Sequence, residues 1–367
     1  MTRTVHIVLA GGGSAGHISP ALALAAALRR AEPDIGLTFL GTAEGLEARL
    51  IPEAGYPLET IPRVPLPRRP TPQLAAVPGR LTAAVRGTGR ILDGVQAAAV
   101  VGFGGYVAMP AYLAARRRRL PVVVHEQNAR PGVANRFAAR YVTDHVVTSF
   151  PDTPLRGASH LGLPLRRQIA GLDRAALRAQ ARAEFGLDPD RPTLFVTGGS
   201  QGARSINEAV VGAAPALARA GCQVLHHYGP RNEEARPELP ADAPPYVARA
   251  YFDRIELAYA AADLAIARAG ANTVSEIAAV GLPAVYVPYP VGNGEQRWNA
   301  KPVVDAGGGL LVDDADLTSD WVAEHLTALL NDPDRLHRLG SAARGIMPAD
   351  ADERLAALVL KLAKEHP

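Results

Sequence analysis

Short apolar runs alternate with stretches of helical periodicity along almost the whole chain. Val5–Ala10, Leu37–Leu40, Ala98–Val101, Val122–His125 and His145–Thr148 have the length and content of buried strands. Between them, Pro20–Arg30, Glu44–Glu53, Ala111–Arg118 and Val133–Arg140 read as helices. The alternation restarts at Thr193–Thr197, passes through a helix over Ile206–Arg219, and continues in Val224–Tyr228, Ala265–Ala267, Ala284–Val287 and Leu310–Val312. Strands that alternate with helices build a parallel sheet covered on both faces. The pattern predicts an α/β protein of two doubly wound, Rossmann-like domains, with ligands at the carboxyl ends of both sheets, in the cleft they face. Pro151–Pro164, rich in proline, glycine and polar residues, is the expected linker. The expected domains are residues 1–160 and 161–344. A last helix over Ala351–Glu365, with Leu355, Leu358, Val359 and Leu362 at helical spacing, is expected to return from about 345–367 onto the first domain.

Composition supports a folded chain: 367 residues suit two domains, and 48% hydrophobic with 20% charged residues is a globular balance. Cys222 is the sole cysteine, which excludes an intrachain disulfide and a cysteine zinc cluster. The first apolar run stops at glycines, unlike a secretory signal. Gly94–Ala115 carries no charge and precedes Arg116–Arg119, yet Gly102, Gly104, Gly105 and Pro110 break it into a strand, a loop and a helix rather than a membrane span. The net charge is only +3, but residues 60–92 hold Arg63, Arg68, Arg69, Arg80, Arg86 and Arg90 without one acid. With Leu66, Leu74, Val77, Leu81 and Val85 among them, this stretch reads either as a membrane-interface element or as an ordinary surface helix and loop.

Glycine-rich segments carry the chemistry. Gly11-Gly12-Gly13-Ser14-Ala15-Gly16-His17 joins the first strand to a helix, with Ser19 as the expected cap and Pro20 in the first turn. Backbone N–H groups at such a helix N-terminus favour an anion. The segment also contains the GxGxxG spacing of dinucleotide-binding folds. That reading needs an acid at the end of the second strand, and after Gly41-Thr42-Ala43 the first one is Glu44, several residues late. Gly198-Gly199-Ser200-Gln201-Gly202 repeats the strand–glycine–helix arrangement in the second half.

These two loops, Gly102-Phe103-Gly104-Gly105-Tyr106, His125-Glu126-Gln127-Asn128 and Ala269-Gly270-Ala271-Asn272-Thr273-Val274-Ser275-Glu276 together resemble the peptidoglycan glycosyltransferases that add N-acetylglucosamine to an undecaprenyl-diphospho-muramoyl-pentapeptide lipid. The resemblance extends to about Asn299 and implies a GT-B fold, UDP-N-acetylglucosamine as donor, inversion at the anomeric carbon, and no cofactor or catalytic metal. It also implies a peripheral enzyme on the cytoplasmic face of the cell membrane, with cell-wall or division proteins as further partners and no nucleic acid, and the arginines of residues 60–92 and 116–119 are expected to hold it to an anionic membrane surface. A non-hydrolysing sugar-nucleotide epimerase and, further off, a nicotinamide-dependent oxidoreductase are the alternatives.

Carried onto this sequence, the resemblance makes His17 the candidate general base, with His125 and Glu126 a second titratable pair. The bland alternative for His17 is a loop histidine that only positions the acceptor diphosphate. Ser14, Ala15, Gly16, Tyr106 and Asn128 fall on the acceptor side, and Arg166 at the interdomain link. Ser200, Gln201, Asn207 and Phe252 fall on the donor side, with Ala271, Asn272, Thr273, Val274 and Ser275 along the nucleotide. Glu276 is implied as the ribose ligand, since a carboxylate can accept from both hydroxyls. Its competing role is the back-bonding member of a Thr273-x-x-Glu276 capping box. Gln296 would read sugar hydroxyls. The chain departs from the family pattern at Leu163, where an asparagine is usual, and at Glu295, where a second glutamine is common. Asp188-x-Asp190, Asp314-x-Asp316, Asp332-x-Asp334 and Asp350-x-Asp352 sit in turns or helix starts, where aspartate is ordinary, and read as no metal site.

Overall fold

The computed structural model describes residues 4–64, 77–234, 237–291 and 293–366. Two compact units emerge, Met1–Arg166 with Ala349–Pro367, and Arg167–Pro348. Leu66, Leu74, Arg68 and Arg69 lie outside the described residues.

The first unit is built on seven parallel strands: β1 (His6–Gly11), β2 (Gly36–Gly41), β3 (Leu58–Thr60), β4 (Ala99–Gly104), β5 (Val122–Glu126), β6 (Val146–Thr148) and β7 (Ala158–His160). Their order is β3-β2-β1-β4-β5-β6-β7, so the winding reverses between β1 and β4. Side chains alternate across the sheet. Ile7, Leu9, Val101 and Phe103 pack with the helices Ala15–Ala31 and Ala351–Glu365, while Val8, Ala10 and Val100 pack with Val77–Gly94 and Ala108–Arg117. The C-terminal helix buries Leu355 and Val359 in that first core, and Asp352 pairs with Arg30 at 2.6 Å.

The second unit repeats the plan with β8 (Thr193–Thr197), β9 (Gln223–His227), β10 (Tyr246–Arg249), β11 (Leu264–Arg268), β12 (Ala284–Val287) and β13 (Gly309–Leu311), ordered β10-β9-β8-β11-β12-β13. All pairings are parallel, and the winding reverses between β8 and β11. In open α/β sheets ligands bind outside the carboxyl ends of strands at such reversals. The loops after β1 and β4, and those after β8 and β11, are the four glycine-bearing segments of the sequence.

Three expectations change. The first helix starts at Ala15 with Ser14 as its N-cap residue (φ −145°, ψ 154°), so Ser19 caps nothing and Pro20 lies inside the helix. The missing Pro20 N–H is the one that would have paired with the Gly16 carbonyl. This extension puts His17 in the first helical turn. Pro151–Pro164 is no free linker: it contributes the edge strand β7, and Leu161 and Leu163 are buried. Strands β3, β7 and β10 are short, partly exposed edge strands, and lack the apolar run by which buried strands are recognised. Gly94–Ala115 forms the end of a helix, β4 and the start of Ala108–Arg117, and among the described residues no helix is long and apolar enough to cross a membrane.

Candidate functional site

In the first unit, the loop after β1 is held from below by a carboxylate that sequence reasoning passed over. Glu47, 1% exposed, accepts hydrogen bonds from Gly13 N, Thr42 N and Thr42 Oγ1, each at 2.9 Å. Burial opposes its ionisation, but these donors prevail and hold its pKa below the ordinary value. A Cβ on Gly12, Gly41 or Gly45 would run into this side chain, so the three glycines make its room. The carboxylate takes the Gly13 N–H, one of the donors a dinucleotide pyrophosphate would use, and is not left open for a ribose. That geometry argues against the dinucleotide reading.

His17 Nδ1 lies 3.1 Å from the Gly12 carbonyl and 3.1 Å from Ser14 Oγ. A carbonyl only accepts, so the contact assigns the ring proton to Nδ1 and leaves the lone pair on Nε2. Burial lowers the His17 pKa, with the Gly12 carbonyl and the Glu47 charge acting the other way. The loop after β4 closes over this ring: Gly104 and Gly105 have positive φ, and a Cβ on Gly105 would strike the Gly12 carbonyl. Tyr106 is exposed, with the Arg63 guanidinium over its ring at 4.7 Å.

The second titratable pair is fully engaged within the protein. His125 is 0% exposed, 2.9 Å from the Gly162 carbonyl through Nε2 and 3.0 Å from Gln127 Nε2 through Nδ1. Burial lowers its pKa to about 4. Glu126 accepts from Asn128 N, Gly132 N and Asn135 Nδ2, each at 2.9 Å, and burial raises its pKa. The Tyr112 hydroxyl completes the chain by donating to Asn135 Oδ1 at 2.7 Å. These groups shape the Glu126–Gly132 turn, on which half-buried Asn128 stands. Arg166, the last residue of the unit, is exposed.

In the second unit, Ser200 and Gln201 are exposed in the loop after β8, ahead of the helix Arg204–Arg219. Asn207 braces that helix: its Nδ2 donates to the Tyr228 carbonyl at 2.9 Å, and its Oδ1 meets His226 Nε2 at 3.1 Å. His226 Nδ1 in turn contacts the Tyr246 hydroxyl at 2.6 Å. Phe252 is 5% exposed and stacks edge-on against Phe185, Phe195 and His227. After β11, the helix Ala271–Ala279 begins at Ala271 with Gly270 as N-cap. Thr273 is therefore inside the first turn and Glu276 mid-helix, and the capping box of the sequence does not form. Tyr259 donates its hydroxyl to Glu276 Oε2 at 2.8 Å. Ala271, Val274 and Ser275 are buried, and Asn272 and Thr273 partly so. Gln296 Oε1 accepts from Ala269 N (3.2 Å) and Tyr289 N (2.9 Å), which leaves its amide nitrogen to donate.

Neither the helix from Ala271 nor that from Arg204 has a side-chain cap, whereas Arg174–Phe185 and Pro333–Arg344 are capped by Asp173 and Asp332. Uncapped first-turn N–H groups beside glycine loops form a receptor for phosphate oxygens. Arg268, also missed by sequence reasoning, lies at the end of β11. It donates to Asp314 Oδ1 (2.5 Å), to Ser205 Oγ (2.8 Å) and to the Val287 and Pro288 carbonyls, tying three strand ends together. Of the Asp-x-Asp pairs, Asp188 serves its own turn and Asp332 caps a helix, whereas Asp314 and Asp352 pair with Arg268 and Arg30. Among the described residues no three His, Cys, Asp or Glu side chains are grouped to hold a metal.

Two family models match the chain: the glycosyltransferase family 28 N-terminal domain over residues 7–147 and the C-terminal domain over residues 193–355. A protein of Nocardioides named UDP-N-acetylglucosamine–N-acetylmuramyl-(pentapeptide) pyrophosphoryl-undecaprenol N-acetylglucosamine transferase is 61% identical, with 98% of each chain covered. A Streptomyces coelicolor protein of the same name is 58% identical, with 97% of each covered. The crystal structure of Acinetobacter baumannii MurG superposes with a TM-score of 0.79 at 29% identity, covering 97% of this chain and 99% of that one. The calicheamicin glycosyltransferase CalG4, at 18% identity and a TM-score of 0.68, shares the fold.

The His226 brace makes stability depend on pH. Burial lowers the His226 pKa to about 3, whereas an unfolded histidine titrates near 6.5. The unfolded chain therefore takes up a proton that the folded site refuses, and this contribution to stability is lost as pH falls from about 6.5 towards 3. His226→Gln should flatten the fall in urea midpoint between pH 6.5 and 4.5, and an unchanged slope would contradict the assignment.

Proposed function

The chain belongs to glycosyltransferase family 28, and from that premise we propose that it transfers N-acetylglucosamine from UDP-N-acetylglucosamine to undecaprenyl-diphospho-N-acetylmuramoyl-pentapeptide. The observation that carries this reading is identity of 61% along essentially the full length of a relative named for that reaction. The fold agrees: each parallel sheet presents its glycine loops at the point where its strand order reverses.

The second unit holds the donor. Its diphosphate takes N–H groups of the Gly198–Gly202 loop other than those of Gly199 and Gly202, which bond Thr197 Oγ1 and the Gly199 carbonyl, and those of the helix opening at Ala271, with Ser200 adding a hydroxyl. Glu276, steadied by Tyr259, accepts from the ribose hydroxyls, and the Gln296 amide donates to a sugar hydroxyl. Phe252 backs the uracil site from its aromatic cluster. The first unit holds the acceptor, through the Gly11–His17 loop, Tyr106 and Asn128, with His125 and Glu126 setting the turn that carries Asn128.

His17 Nε2 removes the proton from the acceptor 4-hydroxyl as its oxygen bonds to the anomeric carbon. The bond from that carbon to the UDP oxygen breaks on the opposite face, so the configuration inverts and UDP leaves as the anion. The N–H groups that bound the diphosphate stabilise the charge that develops on it.

The reaction takes place at the cytoplasmic face of the membrane, to which the enzyme binds peripherally. Arg86, Arg90, Arg117 and Arg118 line one surface pocket with Val85, a composition suited to anionic headgroups.

UDP release from UDP-N-acetylglucosamine should require the lipid-linked acceptor. Release without acceptor would point to epimerase chemistry, and a change in nicotinamide absorbance to an oxidoreductase. His17→Ala should lower kcat by about 10²–10⁴-fold. Because the base works neutral and its pKa is lowered, the acid limb of the wild-type pH profile should lie below 6.5. Near-normal turnover of His17→Ala at saturating substrates would remove His17 from the role. In vesicle sedimentation the protein should prefer anionic over neutral lipid at low salt, and equal binding would refute the membrane contact.

A further inference from the structure

Gly12 and Gly13 share one peptide plane, and two functional side chains hold its opposite edges. The N–H of that plane, on Gly13, donates to Glu47 Oε2 at 2.9 Å. Its carbonyl, on Gly12, lies 3.1 Å from His17 Nδ1. There are no cis peptides among the described residues, so this N–H and carbonyl point in opposite directions. A carboxylate on the N–H side polarises the amide and makes its carbonyl a stronger acceptor. The carbonyl in turn holds the imidazole with its proton on Nδ1 and its lone pair on Nε2.

We propose that Glu47 is a positioning residue for the transfer reaction, acting on the base His17 through the Gly12–Gly13 peptide. The arrangement does the work of the aspartate in a serine-hydrolase triad, with an amide interposed between carboxylate and ring. Glu47 fixes the tautomer and the direction of the ring, and its charge favours the imidazolium that forms when the hydroxyl proton arrives. No proton passes to Glu47, since its oxygens accept only from amide and hydroxyl donors that keep their hydrogens.

Other groups around the ring do not supply this charge. Tyr106 lies beyond Gly13 with Arg63 over its ring, and Glu126 is bonded to Asn135, whose amide lies near Gly104. The charge that bears on His17 is that of Glu47. Room for the relay is built in: Gly12, Gly41 and Gly45 clear space for the carboxylate, and Gly105 for the Gly12 carbonyl. A purely structural carboxylate would account for the first three glycines but not for the coupling to the ring.

The inference rests on His17 acting as base in the proposed transfer, and Glu47→Gln tests it. The amide keeps the size and loses the charge. Expected are a kcat lowered by about 10–100-fold, a KM for UDP-N-acetylglucosamine within about twofold of wild type, and an acid limb moved to lower pH. A folded Glu47→Gln enzyme with normal kcat, or with an unmoved acid limb, overturns the proposal, because a loss confined to acceptor KM or to stability is what a merely structural role gives. Nitrogen-15 NMR of the histidines in the wild-type protein decides the matter should the variant not fold. Neutral His17 must be the Nδ1–H tautomer, and an Nε2–H tautomer overturns the relay. Failure of the wild-type enzyme to release UDP in the presence of acceptor would instead sink the functional reading itself.

Discussion

The first unit's half-site depends on a buried carboxylate meeting a peptide N–H where side chains have been removed to admit it. Glu47 is nearly inaccessible to water, and an ion so placed is tolerated only with its lone pairs met by good donors. Gly13 and Thr42 supply three. Its place in the first turn of the helix Glu47–Glu53 adds the favourable end of a helix dipole. Once this anchor is set, the Gly12 carbonyl has one direction, the ring of His17 follows it, and Gly105 must lack a side chain to leave the carbonyl room. The loop looks flexible as a string of glycines, yet at Gly12 the glycine serves close approach rather than freedom.

The second unit solves a different problem and uses different chemistry. A site for a dianionic diphosphate gains from backbone donors left open, and a fixed carboxylate beside them would repel the ligand. Its bracing is accordingly done by neutral groups, Asn207, His226, Tyr246 and Thr197, and by an arginine, Arg268, whose charge is met by Asp314. Glu276, the acid proposed for the donor ribose, sits mid-helix and accepts from the Tyr259 hydroxyl. Such a placement separates the carboxylate from the uncapped first turn proposed for the phosphates while keeping it on the same helix. A capping box would have turned it back onto the first-turn N–H groups.

Much of this was legible in the chain. The buried strands announced themselves because a doubly wound sheet covered on both faces demands continuous apolar runs, as in Thr193–Thr197 and Ala284–Val287, where sequence and structure agree to the residue. The glycine loops were legible because each follows such a run. Edge strands were not: β7 has two exposed residues out of three, and its proline-rich flanks look like a linker. The start of the first helix was missed because Pro20 is a strong first-turn signal, and a tertiary constraint overrode it. Glu47 was missed for a deeper reason. Its partner in the glycine loop is 34 positions away in the chain, and a glutamate in a helix's first turn with a threonine five residues before it reads the same when it is solvated.

Burial also decides which titratable group can do the chemistry. His125 and Glu126 are better enclosed than His17, and enclosure is often read as a mark of catalytic tuning. But a base must present an unshared lone pair to a hydroxyl that arrives from solution, and enclosure by the protein's own donors and acceptors removes that possibility. Both ring nitrogens of His125 have protein partners, and three protein donors point at the Glu126 carboxylate. The hydrogen bonds of His17 are made by Nδ1, to Ser14 and Gly12, and a Cβ on Gly104 would lie 3.2 Å from its Nε2. A side chain there would stand against the nitrogen proposed to take the proton. The glycine in that place, at φ +92° on the rim of the strand reversal, leaves room at the proposed base as well as making the turn.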